Sequence, residues 1–356
     1  MKYHHQLASE LSEEQYHCWC DILKGRADLD HPFFHPELTR RTAAVRDDIE
    51  VTVLSESGEP VGFFPFRRGS GGIAQSIPGR LSEFHGVISR PDTSWSPREL
   101  IRSSKLRAWY FDHLPSTQRE FEEFAWRYVP SPFIDLSQGY ENYRSQIKKS
   151  GSSLSQIERK QRKLEREIGS LEFSYHTSKE EVFQLLLEWK TAQHRRTGVL
   201  EVLKTDWVVS LLRSLLHEPT PGFAGVFSVL EVGKQPVAVH LGLRTATNLH
   251  MWFPAYDVAF EKYSPGLILI LELAKSAAQQ GIARIEFGKG PERYKQNLKS
   301  GDTQIAEGAV DLRHVQGSLR RCWHQTKQWM RSSRYHKQLE IPLNATRKLR
   351  QWAAFH

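Results

Sequence analysis

The segment 223–298 decides the fold: FAGVFSVLEVGKQPVAVHLGLRTATNLHMWFPAYDVAFEKYSPGLILILELAKSAAQQGIARIEFGKGPERYKQNL. Two β-branched, apolar stretches flank the turn sequence GKQP at 233–236, which predicts two antiparallel strands. A third strand is predicted for 248–256. The tripeptide SPG then opens a predicted helix over 264–280, and a short last strand covers 283–287.

Strand, strand, strand, helix, strand is the order found in the acyl-CoA-binding half of GNAT acyltransferases. The sequences WFPAYD (252–257), YSPGLILI (263–270) and EFGKGPERYK (286–295) occur within it in a fixed order. With these motifs the chain resembles the CelD-like family, which is associated with bacterial cellulose and exopolysaccharide biosynthesis. The resemblance covers residues 49 to 313 and implies an acetyl-CoA donor and a sugar or polysaccharide-related acceptor.

A weaker copy of the same order precedes this segment. A hairpin is predicted for 49–66, a helix for 97–104 and a strand for 108–114. We therefore expect an α/β fold of two tandem GNAT-like domains with mixed central sheets, joined by a basic helix. The expected divisions are a degenerate domain at 1–139, a connector at 140–169, an acyltransferase domain at 170–313 and a basic amphipathic tail at 314–356.

Basic residues crowd the predicted connector helix and are interleaved with Glu158, Glu165 and Glu167. They are Arg159, Lys160, Arg162, Lys163 and Arg166. Such a helix is either a solvated connector supported by pairs four residues apart, such as Glu158 with Arg162, or a cationic wall over the substrate cleft.

The net charge of +8 is located in the tail, because 314–356 contain nine Lys or Arg and one acid, Glu340. The neutral body argues against a broad nucleic-acid-binding surface. Basic residues with tryptophans suit an anionic membrane or a synthase complex, and helices packed back on the body are the alternative. Three cysteines, no apolar run of membrane-spanning length and no secretory leader make the cytoplasm the expected compartment.

The donor's phosphates need an anion site. The helix entry at Ser264, Gly266 and Leu267 is the candidate, since backbone N–H groups at a helix N-terminus bind anions and Gly266 permits close approach. Lys295, in the motif after the last strand, is a further candidate cation for the donor. The usual glycine-rich pyrophosphate loop is not visible.

Acyl transfer also needs a base for the acceptor and a proton for the departing thiolate. His240 shares a strand face with Ala238 and Gly242 and is the candidate base, although a lone strand histidine is also a common structural residue. Asp257 is expected to assist His240 or act as base, and Tyr256 to protonate the thiolate. Capping of the next turn is the structural alternative for both.

Acceptor-binding candidates lie on two elements. Trp189 and Arg195 belong to a predicted helix that would form the acceptor wall, and the others follow the last strand: Glu286, Lys289 and Tyr294. No metal is expected. His31 and His35 have ligand-like spacing, but the neighbouring prolines favour a loop that anchors two phenylalanine rings.

Two other functions fit parts of the pattern. A Fem-type transferase, which uses aminoacyl-tRNA, has tandem GNAT domains and a helical insertion, and would explain the basic helix. A non-catalytic scaffold of a polysaccharide synthase complex would use the tail for attachment. Binding of acetyl-CoA distinguishes an acyl-CoA-dependent transferase from both of these alternatives.

Overall fold

The computed structural model describes residues 1–149, 151, 154–217 and 219–313. The predictions for the tail at 314–356 lie outside these residues. The described chain forms two compact units. Unit 1 contains Met1–Leu29, Phe33–Val129 and the described chain from Gln304 onward, and unit 2 contains Asp30–Pro32 and Pro130–Thr303. The predicted boundaries at 139 and 169 both fall inside unit 2, and the domain division stays a prediction.

Within the described chain, unit 1 contains three α-helices and a mixed β-sheet. The helices are α1 (Glu13–Lys24), α2 (Pro36–Ala43) and α3 (Pro97–Ser103). The strands are β1 (Lys2–Leu7), β2 (Ile49–Glu56), β3 (Glu59–Gly69), β4 (Ile73–Gln75), β5 (Ile88–Ser89) and β6 (Ala108–Pro115). These elements include the predicted hairpin, helix and strand.

The chain passes between the units within two long strands, β7 (Ala125–Asp135) and β13 (Gly301–Asp311). In unit 1 the strand order is β1-β2-β3-β4-β6-β13, with β5 paired to β3. The β4–β6 pair is parallel and its neighbours are antiparallel. A capping box starts α1, since Ser12 Oγ accepts from Gln15 N–H and Gln15 Oε1 accepts from Ser12 N–H.

Unit 2 holds the remaining elements. Its helices are α4 (Tyr140–Lys149), α5 (Leu154–Glu167), α6 (Glu180–Thr197), α7 (Asp206–Ser214), α8 (Pro265–Gln279) and α9 (Arg293–Leu298). Its further strands are β8 (Leu171–Ser174), β9 (Ala224–Val232), β10 (Gln235–Arg244), β11 (Asn248–Tyr256) and β12 (Arg284–Glu286).

The unit 2 sheet has the order β7-β12-β11-β10-β9-β8. Only β11 and β12 are parallel, and α8 is the crossover between them. Three predicted strands, the predicted helix and the predicted last strand are therefore confirmed in order and position. The fold is α/β with mixed sheets, as the sequence predicts.

The core of unit 2 fixes α8 against the sheet. Ile268, Leu269 and Leu273 of α8 are fully or almost fully buried in one cluster with Leu249 and Ile285 of the parallel pair. Each such side chain contributes roughly 1.5–3 kcal/mol of burial free energy. The beginning of α8 is therefore held firmly beside the end of β11. No helix among the described residues is both long and apolar enough to cross a membrane.

Candidate functional site

The parallel pair of unit 2 opens into a fork. β12 pairs only with the first three residues of β11. Asn248 lies opposite Arg284, Leu249 opposite Ile285 and His250 opposite Glu286. β11 then continues to Tyr256 with β10 on its other side. On the β12 side, residues 251–256 have no strand partner within the described chain. We call this opening the strand fork; its free edge carries backbone groups that require hydrogen-bond partners.

A cleft lies at the beginning of α8. It has a volume of about 380 Å³ and is lined by Gln156, Ile157, Lys160, Ser264, Leu267, Arg293 and Asn297. We call it the α8 cleft. Two of the predicted donor-binding residues, Ser264 and Leu267, lie in its wall. The backbone of Ser264 is in the left-handed region, with φ 57° and ψ 53°.

Gly266 has a different place. A Cβ added there would lie 3.4 Å from Cδ1 of Tyr256, and Gly266 is not part of the cleft wall. A side chain at this position would meet Tyr256 at an ordinary contact distance, and the close approach of a ligand to Gly266 stays a prediction.

Two cationic side chains reach the α8 cleft from neighbouring helices. Lys160 of α5 donates through Nζ to Ser264 Oγ at 2.7 Å, and Arg293 begins α9. The N–H groups of Leu267 and Ile268 already donate to the carbonyl of Ser264, at 3.0 and 3.3 Å. An anion here would therefore be held mainly by the two cations and by the positive end of the α8 dipole.

His240 is completely buried in β10. Neither ring nitrogen has a hydrogen-bond partner among the described residues. Burial lowers the pKa of His240 to about 3, and His250 and Lys190 add to the effect. The imidazole is thus neutral over the physiological range and a weak proton acceptor in this structure. Its role as base stays a prediction that these observations do not favour.

Asp257 makes no hydrogen bond to His240, whose ring nitrogens have no partner among the described residues. Its carboxylate accepts from Ala259 N–H at 2.9 Å and begins a short 3-10 helix at Val258–Tyr263, which is the capping alternative. The expected roles of Asp257, to assist His240 or to act as base, stay predictions that this cap does not favour. Tyr256 is half-buried at the end of β11, against the unit 2 core. Its role as proton donor to a thiolate stays a prediction.

Lys295 is buried and stabilises a turn. Its Nζ donates to the carbonyls of Gly288 and Lys289, both at 3.2 Å, and lies 3.3 Å from a carboxylate oxygen of Glu292. The ammonium group of Lys295 is therefore occupied by the backbone that follows β12. These contacts do not support a direct contact between Lys295 and the acyl-CoA donor. Lys289 is half-buried, and Tyr294 packs its ring edge-on to Phe287.

The predicted acceptor wall lies on α6. Trp189 is half-buried, and its neighbour Lys190 donates to the carbonyl of Pro254 at 2.9 Å, on β11. Arg195 is exposed near the end of the helix and pairs with Glu201 at 3.0 Å. Arg195 is therefore engaged elsewhere, and the acceptor-binding role of Trp189 stays a prediction.

Glu286 ends β12 beside the fork and is 3% exposed. Arg284 Nε lies 2.6 Å from its Oε1, and Thr303 donates to the same oxygen at 3.4 Å. Burial nevertheless raises the pKa of Glu286 to about 7. The sequence singled out Glu286 as an acceptor-binding residue, and that role stays a prediction.

Several residues of this region were not predicted. Lys160 was identified only as one of a basic row and Arg293 only as part of the sequence EFGKGPERYK, while Lys190 and His250 carried no motif. His31 was interpreted as part of a loop that anchors two phenylalanine rings; Phe33 and Phe34 are indeed buried, within a 3-10 helix at Pro32–Phe34. Only the register of β11 and the position of Asp30–Pro32 in unit 2 place His31 near the fork.

One group of potential metal ligands occurs in the described chain: His85, Asp112 and His113 of unit 1. The Nε2 atom of His85 accepts from the backbone N–H groups of both other residues, at 3.1 and 3.2 Å. Its lone pair is therefore already used, and the group does not suit a metal ion.

Comparisons with known proteins agree with this geometry. Residues 151–296 match the model of the acetyltransferase (GNAT) domain. No curated protein matches the chain in sequence. The match, with the order of elements, shows that unit 2 has a GNAT-type acyltransferase fold. The narrower CelD-like resemblance is not confirmed.

Solved structures resemble most of the chain. The C-terminal domain of a protein assigned as a lysylphosphatidylglycerol synthetase from Agrobacterium fabrum has a TM-score of 0.53 at 13% identity, covering 86% of this chain and 94% of its own. FemX has a TM-score of 0.56 at 9% identity, covering 90% and 100%. A tandem GNAT protein from the clavulanic acid pathway has a TM-score of 0.48 at 10% identity, covering 87% and 98%. The first two establish similarity of fold.

Proposed function

We propose that this protein is an acyl-CoA-dependent acyltransferase whose donor binds from the α8 cleft to the strand fork. The observation that carries the proposal is the adjacency of these two features. The cleft lies where α8 begins, and the free edge of β11 ends at Tyr256, which contacts the same end of the helix through Gly266. A ligand with a charged head and an amide-bearing arm matches this pairing.

The phosphate groups of the donor fit the α8 cleft. Lys160 and Arg293 have no ion pair with any acid of the described chain, so their charge is available for a phosphate. The dipole of the fifteen-residue helix α8 adds to the same positive field. Ile157 and Leu267 supply apolar wall next to these charges.

The amide-bearing arm of the donor fits the free edge of β11. An extended chain with amide groups binds to an exposed strand edge through backbone hydrogen bonds, in the manner of an added strand. Residues 251–256 offer such an edge. One carbonyl, that of Pro254, already accepts from Lys190, which limits the hydrogen bonds that remain.

The proposed identity of the acyl acceptor is based on the family resemblance. It supports transfer of an acetyl group to the hydroxyl or amine of a sugar or polysaccharide precursor, in envelope or exopolysaccharide assembly. Trp189, on the helix whose Lys190 contacts β11, is the residue that we propose for the acceptor wall.

The test is calorimetric titration with acetyl-CoA. Lys160→Ala should weaken binding by roughly 10–100-fold, because a hydrogen bond to a charged group contributes about 1.5–3 kcal/mol. Arg162→Ala is the matched control, as Arg162 is an exposed cation on the same helix outside the cleft wall. Equal losses in both variants, or no binding by the wild type, would remove the proposed donor site.

A second candidate is a Fem-type transferase that takes an aminoacyl group from tRNA. The observation in its favour is the exposed row Arg159, Arg162 and Arg166 on α5, next to the cleft. Glu158, expected to support this helix through Arg162, instead binds Arg144 at 2.6 Å. Tight, steeply salt-dependent binding of charged tRNA without binding of acetyl-CoA would favour this function.

A further inference from the structure

Three titratable residues lie near the point where the strand fork opens. Glu286 is the last residue of β12 and lies opposite His250 of β11. His250 Nδ1 is 3.3 Å from His31 Nε2, and the two rings are edge-on with centroids 5.0 Å apart. All three residues are buried. We call them the fork cluster.

The loop that carries His31 is anchored to the fork. Asp30–Pro32 belongs to unit 2, far in sequence from the rest of it. The carbonyl of Asp30 accepts from Asn248 Nδ2 at 2.8 Å, and its carboxylate accepts from the Thr247 hydroxyl. Both donors lie at the beginning of β11, so two hydrogen bonds hold the imidazole of His31 against His250.

Glu286 is held through one oxygen only. Arg284 and Thr303 both approach Oε1, whereas Oε2 accepts no hydrogen bond from any described residue and is inaccessible to solvent. The guanidinium of Arg284 also stacks on Phe133, 3.5 Å from the ring centroid, and donates to the Thr303 hydroxyl. A purely structural pair of arginine and carboxylate commonly engages both oxygens. Here a buried oxygen is left without a partner at the fork.

The surroundings of Glu286 favour proton exchange near neutral pH. Arg284 is the cation next to it, His250 lies opposite it in the register of β11, and His31 contacts His250 from the anchored loop. Burial outweighs the arginine and raises the pKa of the carboxyl to about 7. A general base is most effective when its pKa is close to the working pH. His240, with a pKa of about 3, lacks this property.

Resting on the proposed function, we propose that Glu286 accepts the acceptor's proton during acyl transfer, and that His250 and His31 position it. The acceptor oxygen or nitrogen forms a bond to the thioester carbon while its proton passes to Oε2 of Glu286. The carbon–sulfur bond then breaks, and the proton passes from Glu286 to the thiolate of CoA. The products are the acylated acceptor and free CoA, and the carboxylate is restored.

The first test uses acetyl-CoA alone, with water as acceptor and release of the thiol as the signal. Glu286→Gln should slow release by roughly 10²–10⁴-fold and remove the limb of the pH profile near 7, with acetyl-CoA affinity unchanged. Glu272→Gln, on α8, is the control and should leave the profile intact. A Glu286→Gln enzyme that keeps the rate and the limb would overturn the proposal.

The second test needs no turnover. The infrared carbonyl band of a protonated carboxyl should be present in the wild type, absent from Glu286→Gln, and lost with a midpoint near pH 7. His31→Gln should shift this midpoint while acetyl-CoA affinity stays the same, which a structural role alone would not do. Absence of the band overturns the assignment of Glu286. Failure of the wild type to bind acetyl-CoA, with the band present, overturns only the proposed function.

Discussion

Replacing Glu286 by glutamine should make the protein less sensitive to alkaline pH. The pKa of this carboxyl rises from its ordinary 4.5 to about 7 because of burial. A raised carboxyl pKa means that the folded state binds the proton more tightly than the unfolded state. The associated stability is therefore fully present below pH 4.5 and is lost as the pH rises to 7.

The size of the effect follows from the shift. One pKa unit corresponds to about 1.4 kcal/mol, so the wild type should lose up to about 3 kcal/mol of unfolding free energy across this range. Glutamine has a similar shape and does not ionise. The stability difference between Glu286→Gln and wild type should therefore move in favour of the variant by up to about 3 kcal/mol between pH 4.5 and pH 8.

Urea unfolding of both proteins at several pH values measures this difference. Glu180→Gln is a control of opposite sign, because hydrogen bonding to Arg213 lowers the pKa of Glu180 at the surface. Its stability difference should move slightly against the variant as the pH rises. If the Glu286→Gln difference is independent of pH, the carboxyl is not buried in the manner described here.

Three further predictions concern the same unit. Gly242→Ala should destabilise the protein by about 1–3 kcal/mol in thermal or urea unfolding, because the added Cβ would lie 2.5 Å from the carbonyl oxygen of His250 and 2.6 Å from a ring carbon of His240. His240→Leu should reduce the loss of stability on acidification from pH 7.5 to pH 5 by about 2 kcal/mol, since the pKa of this buried imidazole is about 3 in place of 6.5; an unchanged pH dependence would contradict its burial. Lys295→Met should lower the free energy of unfolding by about 1–3 kcal/mol, because two carbonyls after β12 lose their hydrogen-bond donor, and acetyl-CoA affinity should change little. A loss of acetyl-CoA affinity without a loss of stability would instead support the predicted contact of Lys295 with acetyl-CoA.

The fold of unit 2 was predictable because its signals are local. The turn at 233–236, the alternation along β10 and the proline at the beginning of α8 each specify one element within a few residues. The order of these elements then limits the connection of β11 to β12 to a helical crossover. The α8 cleft was predictable in part, through Ser264 and Leu267.

The fork cluster was not predictable from the sequence alone. Its members come from three distant segments, and nothing in the sequence specifies that His250 lies opposite Glu286 rather than one residue away. His31 depends on a loop contact between residues more than two hundred positions apart. The sequence likewise did not specify which polar atoms meet His240 and Asp257, and no hydrogen bond joins the two among the described residues.

Hydrogen–deuterium exchange of the full chain with and without saturating acetyl-CoA tests the central claim most directly. The account predicts added protection at residues 251–256 and in the first turn of α8, with β2 in unit 1 unchanged. Unchanged exchange along the β11 edge, or protection confined to other segments, would contradict a donor site at the α8 cleft and strand fork.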